Sequence, residues 1–258
     1  MPLRAARPLP PEGLGLVLQA GGPALYAPPA PPRPWHPGFS KNRWLWRAQD
    51  PLARALCAAA GVTIPEEPLS TGREEGDAGP PLDLRPLTVL DATLGFGHDA
   101  LLACRLGARV IAYEANPLMA YHTLRGLAAY DLDAATRLTV RAARCERHGA
   151  LGGEEVDVVY LDPMFTAAHV RGEVASKTLR PLRGRAEHLA RMERAGAGAG
   201  AEARLSPALL GWALGWARRA VLFKLAPREP APPTPPGYRY EEVRSHRVRV
   251  GALRRVGA

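Results

Sequence analysis

The run from Thr88 to Leu102 constrains this chain more than any other stretch. Val89 and Leu90 supply a buried strand, Gly95 and Gly97 a tight turn, and Ala100, Leu101, Leu102 and Leu106 then follow helical spacing. Glycine takes backbone conformations that other residues avoid, and it lets a ligand approach bare backbone. A glycine turn that feeds a helix N-terminus is a recurrent cradle for nucleotide-like groups. The third glycine of the dinucleotide fingerprint is missing here. Asp91 closes the strand, at the carboxyl edge where open α/β sheets hold ligands. An ordinary strand, turn and helix is the alternative reading of the same residues.

Two further strands bear on that choice. Arg109 to Tyr113 leads into Glu114, which lies about 20 residues after the glycines, where an acid reaches a ribose hydroxyl pair. Val156 to Leu161 runs into Asp162, Pro163, Met164 and Phe165. A strand that ends in Asp-Pro and an aromatic suits chemistry on an exocyclic amine. The carboxylate accepts a hydrogen bond from the N–H, the proline stiffens the loop, and the ring stacks on a flipped-out base.

On these residues the chain resembles class I S-adenosylmethionine (SAM)-dependent methyltransferases. Within them it is similar to the small-subunit ribosomal RNA guanine-N2 methyltransferase family J. The matching pieces are Asp91 to Ala100, Tyr113 to Pro117, Val159 to Phe165 and Val221 to Lys224. The resemblance implies a Rossmann-like α/β fold, with a seven-stranded, mostly parallel sheet, an antiparallel C-terminal edge and a small N-terminal β-element. It implies SAM as cofactor, held by Asp91, Thr93, Gly95, Gly97, His98, Asp99, Glu114, Ala115, Arg144, Cys145 and Asp162. Asp162, Pro163 and Phe165 would carry the chemistry, and Phe165, Lys224 and Arg171 would meet the substrate. The chain departs from the family in three places. His98 stands where the family has Arg. Arg144 and Cys145 stand where it has small hydroxyl residues, so their backbone, or Glu146, would contact the adenine. Thr166 to Arg171 replaces a Pro-His-Lys run, which bears on the RNA target more than on the chemistry.

Charge and cysteines set the surroundings. The formal net charge is +9, almost all from arginine, since Lys41, Lys177 and Lys224 are the lysines. Such a balance favours a polyanionic partner, with RNA the natural one. Cys57, Cys104 and Cys145 are scattered, with no metal or disulfide spacing, so no metal is expected. No apolar run approaches the roughly 20 residues of a membrane span. Prolines interrupt the N-terminus where a signal sequence would be apolar. A cytoplasmic protein is expected.

The rest of the chain falls around this core. Residues 1–38 are read as a β-hairpin about Ala20 to Pro23 and a connector with six prolines in 28–38; residues 39–258 are read as the methyltransferase domain. Phe39 to Arg47 is basic and aromatic, and is either an RNA surface or a loop packed by Trp44 and Trp46. Asp50 and Pro51 open a helix that ends near Gly61, and Ser206 and Pro207 open another. Arg180, Arg183, Arg185, Arg191 and Arg194 either track a phosphate backbone or form a solvated helix face. Strands are expected at about 86–91, 109–114, 137–141, 156–161 and 219–225, with a final hairpin at 238–243 and 246–250.

The expected reaction is methyl transfer to a guanine N2 of small-subunit ribosomal RNA. Three alternatives stay open: another substrate amine on DNA, protein or a small molecule; a non-catalytic RNA-binding module; and a nucleotide-dependent oxidoreductase.

Overall fold

A computed structural model describes residues 15–19, 22–26, 50–63, 84–115, 117–162, 205–225, 229–245 and 248–257. Near the N-terminus, β1 (Gly15–Gln19) and β2 (Gly22–Tyr26) pair antiparallel, with Gln19 opposite Gly22. The remaining elements belong to a separate compact unit, Gly38–Met164 with Leu205–Ala258.

That unit is built on a seven-stranded sheet. Its strands are β3 (Thr88–Asp91), β4 (Arg109–Tyr113), β5 (Leu138–Arg141), β6 (Val156–Leu161), β7 (Ala217–Leu225), β8 (Tyr238–Arg244) and β9 (Arg249–Arg255). The spatial order is β5-β4-β3-β6-β7-β9-β8. The first five of these run parallel, and β9 is antiparallel to both of its neighbours. The order reverses between β3 and β6, so their carboxyl ends open a crevice at a topological switch point.

Each central strand is apolar on both sides, as a parallel sheet buried on both faces requires. Alternate residues divide between two cores. Val89, Val110, Val158, Ala220 and Leu222 join one; Leu90, Ile111, Val159, Val221 and Phe223 join the other. Helices α1 (Pro51–Ala60) and α2 (His98–Arg105) fill the first core. The second is covered by Leu210 and Ala213 of a later helix, Pro207–Trp216, here α5. Between them in sequence, α3 (Pro117–Tyr130) and α4 (Leu132–Ala135) lead to β5. Cys57, Cys104 and Cys145 are buried and unbridged.

Helix ends follow their caps. The Asp50 carboxylate accepts from the Leu52 and Ala53 amides at 2.8 and 3.2 Å, and Gly61 closes α1 at φ 73°. The Ser206 hydroxyl accepts from the Leu209 amide at 3.1 Å. A buried polar chain anchors the segment after β5. Arg141 donates to the Tyr113 hydroxyl at 2.7 Å, and that hydroxyl meets His148 Nδ1 at 2.7 Å. His148 Nε2 lies 2.9 Å from the Glu154 carbonyl. A carbonyl only accepts, so Nε2 carries a proton toward Glu154.

Boundaries differ from expectation where packing overrides local signals. The last strand continues through Gly251 to Arg255, past the expected end at about 250. A Cβ at Gly251 would lie 2.5 Å from the Phe223 ring, so the glycine makes room for an aromatic side chain. Strand β7 starts at Ala217, directly after α5, so Ala217 and Arg218 join the expected 219–225 in the sheet. Strand β3 starts at Thr88 because Leu84 to Leu87 form a turn closed by Leu87 N–H to the Leu84 carbonyl.

Candidate active site

The glycine turn is held from three sides. Asp91 is buried, and its Oδ1 accepts from the Thr93 amide at 2.9 Å. Glu114 Oε2 accepts from the Gly95 amide at 3.1 Å, and Thr123 Oγ1 donates to the Gly95 carbonyl at 2.8 Å. Gly95 and Gly97 both have positive φ, 50° and 72°. Their surroundings differ. A Cβ at Gly97 would meet Thr123 Cγ2 at 2.7 Å, whereas at Gly95 it would meet only the Thr93 carbonyl oxygen at 3.8 Å. Gly97 therefore seats α2 against α3, and Gly95 presents open backbone.

Three acidic side chains and one lysine converge beside this turn. Lys224, near the end of β7, reaches Asp99 Oδ2 at 2.6 Å and Asp162 Oδ2 at 2.7 Å. The Tyr160 hydroxyl donates to the same Asp99 oxygen at 2.8 Å. Asp162 directly follows β6, and its amide donates to Thr93 Oγ1 at 2.7 Å. Thr93 thus ties the glycine turn to the residue after β6. Asp99 sits in the first turn of α2, where the helix dipole favours negative charge.

Electrostatics separates the three acids. Burial pushes Asp91 up to about 8, against the hydrogen bond from Thr93, with Asp99 and Asp162 adding repulsion. Burial also opposes ionisation of Asp99, but the Lys224 ammonium and the Tyr160 hydroxyl hold it below the ordinary carboxylate range. Asp162 is lifted above that range by burial, against the pull of Lys224. Lys224 itself is held charged: burial works against the ammonium, and its two carboxylate partners more than offset it. The site can therefore keep one carboxylate firmly ionised next to another of raised basicity.

The structure brings Asp91, Thr93, Gly95, Gly97, Asp99, Glu114, Asp162 and Lys224 together. His98 opens α2, and Ala115 follows Glu114 at the end of β4. Arg144 is exposed and pairs with Glu146 at 3.8 Å, while Cys145 is buried in a short 3-10 turn. Pro163, Phe165 and Arg171 lie outside the described residues, as do Trp44, Trp46 and the arginines of 170–194. Two members of the site are additions to the sequence reading. Tyr160 stands near the end of β6, two residues before Asp162. Thr123 carries no local signal, since its partner is 28 residues away.

This strand order and crevice define the class I SAM-dependent methyltransferase fold. A SAM-dependent methyltransferase structure from Neisseria gonorrhoeae superposes with a TM-score of 0.60 at 18% identity, over 98% of this chain and 87% of that one. Residues 82–190 match a family described as "Putative SAM-dependent methyltransferase". More particularly, the chain resembles proteins named ribosomal RNA small subunit methyltransferase J. The one from Marinobacter nauticus is 40% identical over 86 residues, 31% of each chain. That from Halorhodospira halophila is 35% identical over 132 residues, 48% of this chain and 47% of its own. The matches thus span about a third to a half of the length of these curated relatives.

Proposed function

We propose that this protein transfers a methyl group from SAM to the N2 amine of a guanine in small-subunit ribosomal RNA, in the cytoplasm. The observation that carries the reading is the shared lysine. Lys224 joins Asp99, on the helix that follows the glycine turn, to Asp162, the acid that would meet the amine.

The residues suit the cofactor. Open backbone at Gly95 leaves room beside the turn. Asp99, Glu114 and Asp162 outnumber Lys224 around it, which favours a ligand carrying a sulfonium and an ammonium. When bound, SAM supplies an electrophilic methyl group. Gly95, Gly97 and Thr93 would hold its amino-acid end, with Asp91, His98 and Asp99 near the ammonium. Glu114 and Ala115 would take the ribose, and the backbone of Arg144 and Cys145 the adenine.

The chain's own work is then positioning. Neutral guanine N2 is a poor nucleophile, because its lone pair is delocalised into the ring. Asp162 accepts a hydrogen bond from the amine and holds it in place, which is proximity catalysis. Its raised basicity equips it to take a proton as the N–C bond forms. Pro163 would stiffen the loop, and Phe165 would stack on the base, with Arg171 on the RNA.

Incubation of the protein with SAM and small-subunit RNA that lacks the modification tests the proposal. Mass spectrometry of the nucleosides should find N2-methylguanosine. Cofactor binding by calorimetry with no methyl group on RNA would overturn the RNA assignment, and matched DNA and protein arms would then identify the acceptor.

A further inference from the structure

A second charged site lies at the other end of the same sheet. Arg219, Arg239, Arg254 and Arg255 line a cavity of about 280 Å³, together with Gly61 at the end of α1. Arg219 and Lys224 are both on β7, and five residues of strand separate them by roughly 16 Å. The cavity therefore does not belong to the crevice.

The ion pairs leave this cleft basic. Arg239 and Arg254 both reach Glu241, at 2.8 and 3.2 Å. Arg219 reaches Asp157 at 3.4 Å, and Asp157 also takes Arg218 at 3.2 Å and the Thr88 amide. Arg255 contacts the Tyr238 hydroxyl at 3.3 Å and no carboxylate within pairing distance among the described residues. The carboxyl end of α1 adds about half a negative charge, too little to offset the remaining guanidiniums.

Folding alone does not account for this arrangement. Arg239 and Arg254 are direct partners across β8 and β9. Like charges directly opposite one another destabilise a strand pair. Guanidinium forks match phosphate oxygens in geometry as well as charge.

We propose that the cleft lined by Arg219, Arg239, Arg254 and Arg255 binds backbone phosphate of the RNA substrate, remote from the nucleotide in the crevice. The inference rests on the RNA reading above. The cleft holds a segment of the same RNA, adding affinity and orientation without reading bases.

The test compares RNA binding by the full chain and by Arg239→Ala/Arg255→Ala, using a fluorescent hairpin of small-subunit RNA. The double variant should bind about tenfold more weakly at about 0.1 M salt, and the slope of log affinity against log salt should fall by about 1 to 2. SAM affinity by calorimetry should be unchanged, because neither residue is near the crevice. Arg239→Gln/Arg255→Gln keeps most of each side-chain stem, and it should reproduce the loss if charge is the cause. An unchanged affinity and salt slope in both variants, with wild type binding RNA, would overturn the cleft. Wild type that binds SAM but not RNA would overturn the RNA reading itself, and the cleft with it.

Discussion

The two ends of the sheet handle charge in opposite ways. At the carboxyl end, Lys224, Asp99 and Asp162 have side chains only 19%, 23% and 25% exposed, and they are paired with one another. At the amino end, Arg219 and Arg239 are 46% and 58% exposed and share their carboxylates. The difference follows from topology. The reversal of strand order between β3 and β6 opens the crevice at the carboxyl ends, and acids there are drawn out of water. Desolvated charge is costly unless paired, so each group fixes the ionisation of the next. Exposed charge at the other end costs little and acts through its field on a polyanion. One end of the sheet is suited to holding reacting atoms, the other to retaining a large ligand.

The strongest way to break this comparison is Asp162→Ala. Turnover should fall about a thousandfold, in the range for loss of a positioned proton acceptor. SAM affinity by calorimetry should change little. Turnover within a few-fold of wild type would show that the acid does not handle the amine. Lys224→Met comes next. It leaves two partly buried carboxylates without their cation, and turnover should fall about a hundredfold. The pH profile has a definite sign. In the proposed role Asp162 works ionised, so activity should be lost as pH falls through its pKa. Lys224 pulls that pKa down, so its removal moves the acidic limb to higher pH. Stability follows Asp99. Its lowered pKa contributes stability that is present above the unfolded carboxylate value and lost as pH falls through the folded value. In Lys224→Met that contribution shrinks. An acidic limb in the wild-type position would reduce Lys224 to a packing role.

Much of this was legible in the sequence, and the gaps have a physical pattern. Strand β6 is legible to the residue, because a valine-rich run with Tyr160 and Leu161 stops at an Asp-Pro step. The Asp50 and Ser206 caps were legible because their partners are two or three residues away. Lys224 was expected at the rim of the site, but not as a bridge between Asp99 and Asp162, partners 125 and 62 residues distant. The Tyr160 hydroxyl and Thr123 escaped for the same reason. Asp91 was read as a ligand contact, and its buried bond to Thr93 became visible only in the folded chain. The basic cleft was invisible because β8 and β9 bring its arginines together only by pairing in this register. Local chemistry is written in short spacings; long-range pairing is not.

The glycine turn gives the next largest effect. Gly97→Ala should destabilise the protein by about 2 kcal/mol or more, from positive φ together with a forced contact on Thr123 and Leu127. Gly95→Ala should cost only about 1 kcal/mol, since it shares the strained φ but meets no close neighbour. Thermal unfolding of the two variants checks the ranking. Equal losses would mean that Gly97 does not seat α2 tightly.

The smallest effect is expected at the amino end, and there a near-zero result is the informative one. Arg239→Ala removes one of two guanidiniums on Glu241 and leaves Arg254 in place. The lost pair is exposed, and its opposite neighbour across the strands carries the same charge. Loss of attraction to Glu241 and relief of repulsion from Arg254 nearly cancel, so unfolding free energy should change by less than about 0.5 kcal/mol. Urea unfolding measures this directly. A loss of several kcal/mol would make the arginines part of the scaffold, and the contrast between the two ends would disappear. A change near zero leaves these charges with no work in folding, which is the condition under which a basic cleft is free to serve a ligand.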